Sequence, residues 1–351
     1  MTTSNPCAWG APPGTACLRT VPSDFRVEEE LGFEPEGAGE HLFLYIEKIG
    51  LSTTEVAERI ARLARVPRGN LGYSGLKDRQ AITRQWFSVG LAGVSEPDWR
   101  RLEADGDLLV LVQARHRKKL RRGVHRANRF TLVLRELAAD VALLEARLEQ
   151  VRLGGVPNYF GPQRFGRGGS TRGQARRWLS QDMPRIKRDR RSIYLSALRA
   201  QLFNTLLGQR VADATWNCVI AGDACVLHGT RSLFTCEQPD SDIAARCRSH
   251  DLHPALPLWG GGQPLATAER HREQYQALGD DRAMADALEA LGMSLSYRPA
   301  RLVPDDFCWE FCDDGGLKLG FSLGAGSYAT AVVTELVNFS EGDAGSGDSG
   351  E

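Results

Sequence analysis

Three stretches of the 351-residue chain combine residue types that could do chemistry. The first is Gly75-Leu76-Lys77-Asp78-Arg79-Gln80-Ala81, where a carboxylate follows a glycine turn and stands between two cations. Adjacent positive charge favours ionised Asp78, the form a carboxylate nucleophile needs at neutral pH. The plainer alternative is a turn aspartate with solvated neighbours. The second stretch runs from Pro157 to Gly169 and sets Tyr159, Phe160 and Phe165 among glycines, Gln163, Arg164 and Arg167. Such a backbone could approach a polyanion while its rings stack, or it could be a Gly-rich loop over a small core. The third, Gly324 to Thr330, is a glycine turn opening a helix, whose amides could receive an anion or which could be a plain helix-entry turn. It lacks the third glycine of a dinucleotide fingerprint.

Cys225-x-x-His228 and Cys247-x-x-His250, with Cys236 and His253 nearby, could supply zinc ligands. The paired Cys-x-x-Cys spacing of most structural sites is absent and Cys236 would be left over, so no metal is expected. Eight cysteines in a chain this long make no disulfide framework and are expected as free thiols, several of them buried. No Walker loop, His-Glu-x-x-His helix or Gly-x-Ser-x-Gly elbow occurs.

The elements that must position these residues follow from periodicity. Asp24 to Glu29 alternates, and His41 to Glu47, Gln85 to Val89, Leu108 to Val112 and Phe130 to Leu134 read as strands. Ser52 and Glu55 form a capping box for a helix that buries Val56, Ile60, Leu63 and Ala64, with Pro67 as its stop. A Gly-punctuated strand from Gly69 to Gly75 leads into Asp78. Helices are expected over Val141 to Val151, about Ser192 to Ala212 (stripe Leu195, Leu198, Leu202, Leu206), Arg282 to Leu291 and Ala329 to Val337. Phe307 to Phe311 and Leu317 to Phe321 return to strand.

The length suggests two domains, and composition shifts near residues 154 and 304 mark their junctions. The Gly-, Ser- and acid-rich residues 340–351 read as a disordered tail. Residues 1–8 have no basic run leading into an apolar stretch, and the longest apolar run is far too short for a bilayer. A cytoplasmic protein without membrane association is therefore expected. The formal net charge is zero, yet residues 115–129 hold eight Lys or Arg and no acid, and residues 164–191 hold ten against Asp182 and Asp189. Segregated blocks of this kind can present a strong local field to a polyanion. The Arg excess suits RNA, because a guanidinium both forks to phosphate and stacks on bases.

Gly75-x-Lys77-Asp78-Arg79-x-Ala81-x-Thr83-x-Gln85-Trp86 resembles the catalytic motif of the TruD family of tRNA pseudouridine synthases. Val156-Pro157-Asn158-Tyr159-Phe160-Gly161-x-Gln163-Arg164-Phe165-Gly166 is similar to its second signature. Leu195-Ser196-Ala197-x-Arg199-x-x-Leu202-Phe203-Asn204 resembles a third, and Ala325 to Thr330 a fourth. Asp24-Phe25-x-Val27-Glu28-Glu29 and Leu31 to Pro35 fit as well, so the resemblance runs from about residue 18 to 338.

The resemblance implies an α+β fold. Residues 1–153 and 304–339 would form a pseudouridine-synthase-like catalytic domain with a mixed, largely antiparallel sheet, and residues 154–303 an inserted family-specific α/β domain. It implies isomerisation of uridine at position 13 of tRNA, with no metal or organic cofactor. The nucleophile falls on Asp78, and substrate contacts on Phe25, Asn128 and Tyr328, the last replacing the family's Phe. Arg19 occupies a basic position that would pair with Asp78, and Phe130 one that would line the base pocket. The expected partner is tRNA. A monomer is expected because no heptad or exposed apolar stripe is evident. The competing readings are an RNA-binding protein without chemistry, which the intact Asp78 motif opposes, and a tRNA methyltransferase, opposed by the lack of a cofactor loop.

Overall fold

The structure, a computed structural model, describes residues 5–181 and 183–342, and only the backbone of Arg167. Along the chain the strands are β1 (Gly14–Leu18), β2 (Phe25–Glu30), β3 (His41–Ile49), β4 (Leu71–Tyr73), β5 (Ile82–Gly90), β6 (Leu108–His116) and β7 (Ala127–Ala139). Next come β8 (Val156–Pro157), β9 (Asp223–Leu227), β10 (Leu233–Cys236), β11 (Leu252–Leu258), β12 (Ser296–Pro299) and β13 (Arg301–Leu302). The last three are β14 (Asp305–Phe311), β15 (Leu317–Gly324) and β16 (Asn338–Glu341). The α-helices are α1 (Thr53–Ala64), α2 (Val141–Gly154), α3 (Ser170–Ser180), α4 (Arg188–Ala212), α5 (Ser241–Arg248), α6 (Ala268–Ala277), α7 (Arg282–Ala290) and α8 (Ala329–Leu336).

The chain forms two compact units. One takes Gly14–Asp140, Pro304–Gly326 and the chain from Val337; the other takes the segment up to Pro13, Val141–Val303 and Ser327–Leu336. The composition shift at Gly154-Gly155 therefore marks a turn, with Gly155 at φ 74°, and not a junction between units. Helix α2 packs with the middle of the chain: Leu144, Leu148 and Val151 are fully buried. Its Arg147 donates to the carbonyls of Trp9, Gly10, Ala11 and Glu335.

In the first unit the sheet runs β14-β15-β7-β2-β5-β3-β6, with β1 on β7 and β16, and β4 on β5. It is antiparallel apart from the β2–β5 and β1–β16 pairs. Strand alternation decides what each face carries. Leu42, Leu44, Ile46 and Lys48 of β3 lie opposite Val89, Phe87, Gln85 and Thr83 of β5. Through Val27↔Thr83, the same face continues into Phe25, Val27 and Glu29 of β2, then Leu132, Phe130 and Asn128 of β7, then Leu319, Phe321 and Leu323 of β15. Helix α1 covers the β3–β5–β6 end, packing Val56, Ala57 and Ile60 on Leu44, Ile46 and Phe87. The capping box forms as expected, Ser52 accepting from Glu55 N–H and Glu55 from Ser52 N–H. The helix stops at Ala64, with Arg65 left-handed at φ 54°, before the restriction that Pro67 imposes.

Two features were not expected. Strand β1 runs along the same edge of β7 as β2 and pairs in parallel with β16. Ser340 and Glu341 thus belong to a strand and not to the tail, the rest of which, 343–351, lies outside the described residues.

The second unit holds an antiparallel sheet of order β10-β9-β11-β12 and the short pair β13–β8. Its core is the Leu195, Leu198, Leu202, Leu206 stripe of α4, packed with Trp178, Trp259 and Leu288. Cys225, Cys236 and Cys247 are buried with Val219 and Leu252, and all eight cysteines are free. The His253 ring accepts from buried Arg301 (2.9 Å) and pairs with His228 (2.8 Å). Among the described residues no three His, Cys, Asp or Glu side chains converge as a metal site, and no helix is long and apolar enough to cross a membrane.

Candidate active site

Asp78 sits in the loop between β4 and β5, over the sheet face described above. The loop's backbone is tied down at three points, two of them by side chains of that face, and the Arg79 side chain adds a fourth contact. The Lys48 ammonium, fully buried in phase with Leu44 and Ile46, donates to the Leu51 carbonyl (2.5 Å) and the Asp78 carbonyl (2.8 Å). Gln85 Nε2 donates to the Gly75 carbonyl (2.5 Å). Thr53 Oγ1 accepts from Lys77 N–H (2.8 Å) and donates to Gln85 Oε1 (3.0 Å). Arg79 Nε donates to the Gly50 carbonyl (3.0 Å). Burial lowers the Lys48 pKa to about 8, and the nearby Asp78 carboxylate opposes that fall.

The two cations beside Asp78 in sequence do not hold its carboxylate. Lys77 reaches inward to Glu29 (2.5 Å), and Arg79 turns to Gly50 and Glu55. The cation on Asp78 is Arg19, 2.7 Å from Oδ2. Arg19 follows β1 in the left-handed region, φ 62°, and its guanidinium lies over Phe25 at the start of β2. Its second nitrogen pairs with Glu341 of β16 (2.7 Å), and its carbon lies 4.1 Å from the Phe25 ring centroid. The Asp78 side chain remains half exposed, at 50%. It is anchored on one side and open on the other.

Beside the loop, Phe25, Phe130 and Phe321 form a ring series with centroid separations of 6.2 and 5.5 Å. All three are buried. They back the site as a wall, and the Phe25 face toward Asp78 is covered by Arg19, so these rings are not the open stacking platform that their residue types suggest. Asn128 lies two residues before Phe130 on the same face. Its Nδ2 donates to His125 Nε2 (3.2 Å), and its Oδ1 is buried without a partner. His125 Nδ1 bonds to Ser74 Oγ, which also accepts from His125 N–H (2.8 Å). Burial, reinforced by the Lys77 charge, lowers the His125 pKa.

The structure thus brings together Asp78, Arg19, Phe25, Phe130 and Asn128 on one unit. Tyr328 belongs to the other. There its hydroxyl accepts from Arg164 Nη2 (2.8 Å) and its ring leans on Phe160. The rings of the Pro157–Gly169 stretch turn out structural: Tyr159 and Phe160 are core, and Asn204 bonds both the N–H and the carbonyl of Phe160. Sequence reasoning missed Lys48, Ser74 and His125, and gave no role to Gln85, which it placed in the Asp78 motif. Only Lys48 left a signal, a lysine at a core-phase position of an alternating strand.

The basic blocks are partly neutralised locally. Arg115 pairs with Glu96, Arg117 with Glu36, and Arg176 with Asp281. Arg68, Tyr73, Lys119, Arg121 and Arg122 line a cavity of about 430 Å³ in the first unit whose lining includes no acid. Gly72 lies in its floor, where a side chain would strike the Leu120 carbonyl.

A mixed sheet carrying a carboxylate–arginine pair against a wall of buried rings defines an α+β protein with a candidate catalytic carboxylate. The fold matches a crystal structure titled tRNA pseudouridine synthase D (TruD) from Methanosarcina mazei, with TM-score 0.68 and 19% identity over 95% of this chain and 96% of that one. The family model described as tRNA pseudouridine synthase D (TruD) matches residues 5–174 and 176–336. Relatives named tRNA pseudouridine synthase D include one from Methylococcus capsulatus, 46% identical over 92% of this chain and 91% of that protein. Another, from Pseudomonas aeruginosa, is 44% identical over 95% and 93%. The chain belongs to the TruD family.

Proposed function

We propose that this protein isomerises uridine in tRNA to pseudouridine, at position 13 by the family's pattern, with Asp78 as the catalytic carboxylate. The observation that carries the reading is the Asp78 carboxylate, fixed by Arg19 on a loop whose backbone is pinned to the sheet. The reaction breaks N1–C1′, turns the base, and joins C5 to C1′. It conserves atoms and electrons, so no donor or cofactor is required. A carboxylate here can attack C1′ or C6, or remove the C2′ proton; each route needs an ionised Asp78 in contact with a base drawn out of its stack.

Extruding a base costs a few kcal/mol, which contacts in the site and along the RNA must offset. Asn128 keeps a buried Oδ1 without a partner, an acceptor for a uracil N–H once the entering base uncovers it. Phe25 and Phe130 exclude water behind the base, and a base reaches the Phe25 ring only by displacing Arg19. Tyr328 contributes by the family's pattern, with its hydroxyl already held by Arg164. The acid-free cavity at Arg121 and Arg122 suits the phosphate backbone, contacts that position the RNA without specifying its sequence. A monomer working in the cytoplasm completes the reading.

The test is to incubate the pure protein with an unmodified tRNA transcript, adding nothing else, and to map pseudouridine. The expected result is a single modified site at position 13. Binding without product would leave the RNA-binding alternative, and product only after a methyl donor is added would favour the methyltransferase.

A further inference from the structure

We propose that the cavity over β4 is a second nucleotide site, which takes one unstacked base of the RNA, close in sequence to the uridine, between the Tyr73 ring and the Arg122 guanidinium. This goes beyond phosphate contact at the same cavity and rests on the reading that the substrate is RNA.

A site for phosphate alone needs only cations. This cavity of about 430 Å³ also has an apolar floor, made by Leu71, Gly72 and Leu120, and a half-buried ring, Tyr73. A cavity of that size can enclose a small ligand. Its backbone is held by the protein itself. Leu120 N–H donates to Ser88 Oγ of β5 (3.0 Å), the Lys119 ammonium to the Gly69 carbonyl, and Gly123 N–H to the Ser74 carbonyl (2.7 Å). Gly72 lets β4 and this segment lie close together, since a Cβ there would strike the Leu120 carbonyl and Ser88 Oγ. Arg121 and Arg122 therefore project from a clamped backbone.

The cations around it are not equally free. Arg68 pairs with Glu58 (2.9 Å), and Lys119 is spent on Gly69. Among the described residues Arg121 and Arg122 pair with no acid, and both are exposed. The Arg122 carbon stands 5.7 Å from the Tyr73 ring centroid, looser than the 4.1 Å of Arg19 over Phe25. A base sandwiched there needs about 7 Å, twice the ~3.4 Å rise per base, so Arg122 has only about 1 Å to yield. Phe87, fully buried with its centroid at 6.2 Å, packs against the ring and steadies it. Arg121 then meets the phosphate of the same nucleotide. Tyr73 is five residues before Asp78, so their Cα atoms are at most about 18 Å apart, and the captured nucleotide is a near neighbour of the uridine. Stacking tolerates any base, so the site fixes which uridine comes into register with Asp78 without reading sequence.

The experiment measures the affinity of tRNA transcripts that each carry one abasic nucleotide, moved position by position through the neighbours of the uridine. For the wild type one position should stand out, its missing base weakening binding about five- to a hundredfold. In Tyr73→Leu that penalty should shrink to within about threefold of none, with the slope of log Kd against log salt unchanged because no phosphate contact is lost. Tyr73→Phe keeps the ring and should keep the penalty. A penalty undiminished in Tyr73→Leu would return the cavity to phosphate contact alone and overturn the proposal. A penalty lost in Tyr73→Phe would assign the contact to the hydroxyl and overturn stacking equally. Should Tyr73→Leu not fold, Arg122→Ala, at an exposed side chain, must shrink the same penalty, and an unchanged one overturns the proposal. A wild type that binds no transcript overturns this proposal together with the reading beneath it. One that forms pseudouridine yet shows no sensitive position overturns this proposal alone.

Discussion

Arg19 and Asp78 meet at 2.7 Å although 59 positions separate them, and the same guanidinium also holds Glu341 and lies over Phe25. One residue thus ties a strand end, the Asp78 loop, the ring wall and the last strand of the sheet.

Removing that tie should affect rate far more than stability. With Asp78 half exposed, the pair contributes only about 0–1 kcal/mol to folding. Arg19→Ala should lower single-turnover product formation at least about tenfold while shifting Tm by no more than about 3 °C. Calorimetry and a rapid-quench time course measure both. A large Tm loss with a normal rate per folded molecule would make Arg19 a structural residue instead.

Lys48 acts from beneath. Lys48→Met removes a buried cation, whose desolvation is costly, and also the donor to two carbonyls, each loss on the order of 1–3 kcal/mol. The opposing effects should leave stability within about 2 kcal/mol of wild type, while the untethered Asp78 loop lowers kcat about tenfold or more. Denaturant titration and steady-state kinetics decide; an undiminished kcat would mean the loop holds its shape without this anchor.

Much of this was legible in the residues. The Asp78 motif, the α1 capping box and the α4 stripe all carry local signals strong enough to survive tertiary context. The partner of Asp78 was not legible locally, because Lys77 and Arg79 are the obvious cations and only the fold sends them to Glu29 and Gly50. Strands β1 and β16 are short and lack clear alternation; their pairing joins residues more than 300 positions apart, a long-range contact that no local propensity encodes. The strands β9 to β11 are brief apolar runs that periodicity cannot separate from loop or helix. The charge blocks were visible, but which arginines are already spent on Glu36, Glu96 and Asp281 was not.

The second unit should be sensitive to acid through His253. Burial first, then Arg301, lowers its pKa from 6.5 to about 2. Between those values the unfolded chain binds a proton that the folded unit does not, so stability falls as pH drops below about 6.5. Near pH 5 this loss is about 2 kcal/mol. His253→Gln should flatten the slope of Tm against pH in that range. An unchanged slope would mean that other groups control acid unfolding.

The cavity edged by Arg121 and Arg122 should set part of the salt dependence of RNA binding. Replacing both by Gln should reduce the slope of log Kd against log salt by about one per residue that contacts phosphate. Replacing Arg115 and Arg117, already paired with Glu96 and Glu36, should change it less. Equal effects would spread the interface over the whole block.

The most direct measurement is single-turnover pseudouridine formation by Asp78→Asn alongside its affinity for the same transcript. The replacement keeps the shape of the side chain and removes its charge. The account predicts no detectable product with RNA affinity within about threefold of wild type, because phosphate contacts dominate binding. Product formed at the wild-type rate would contradict it outright.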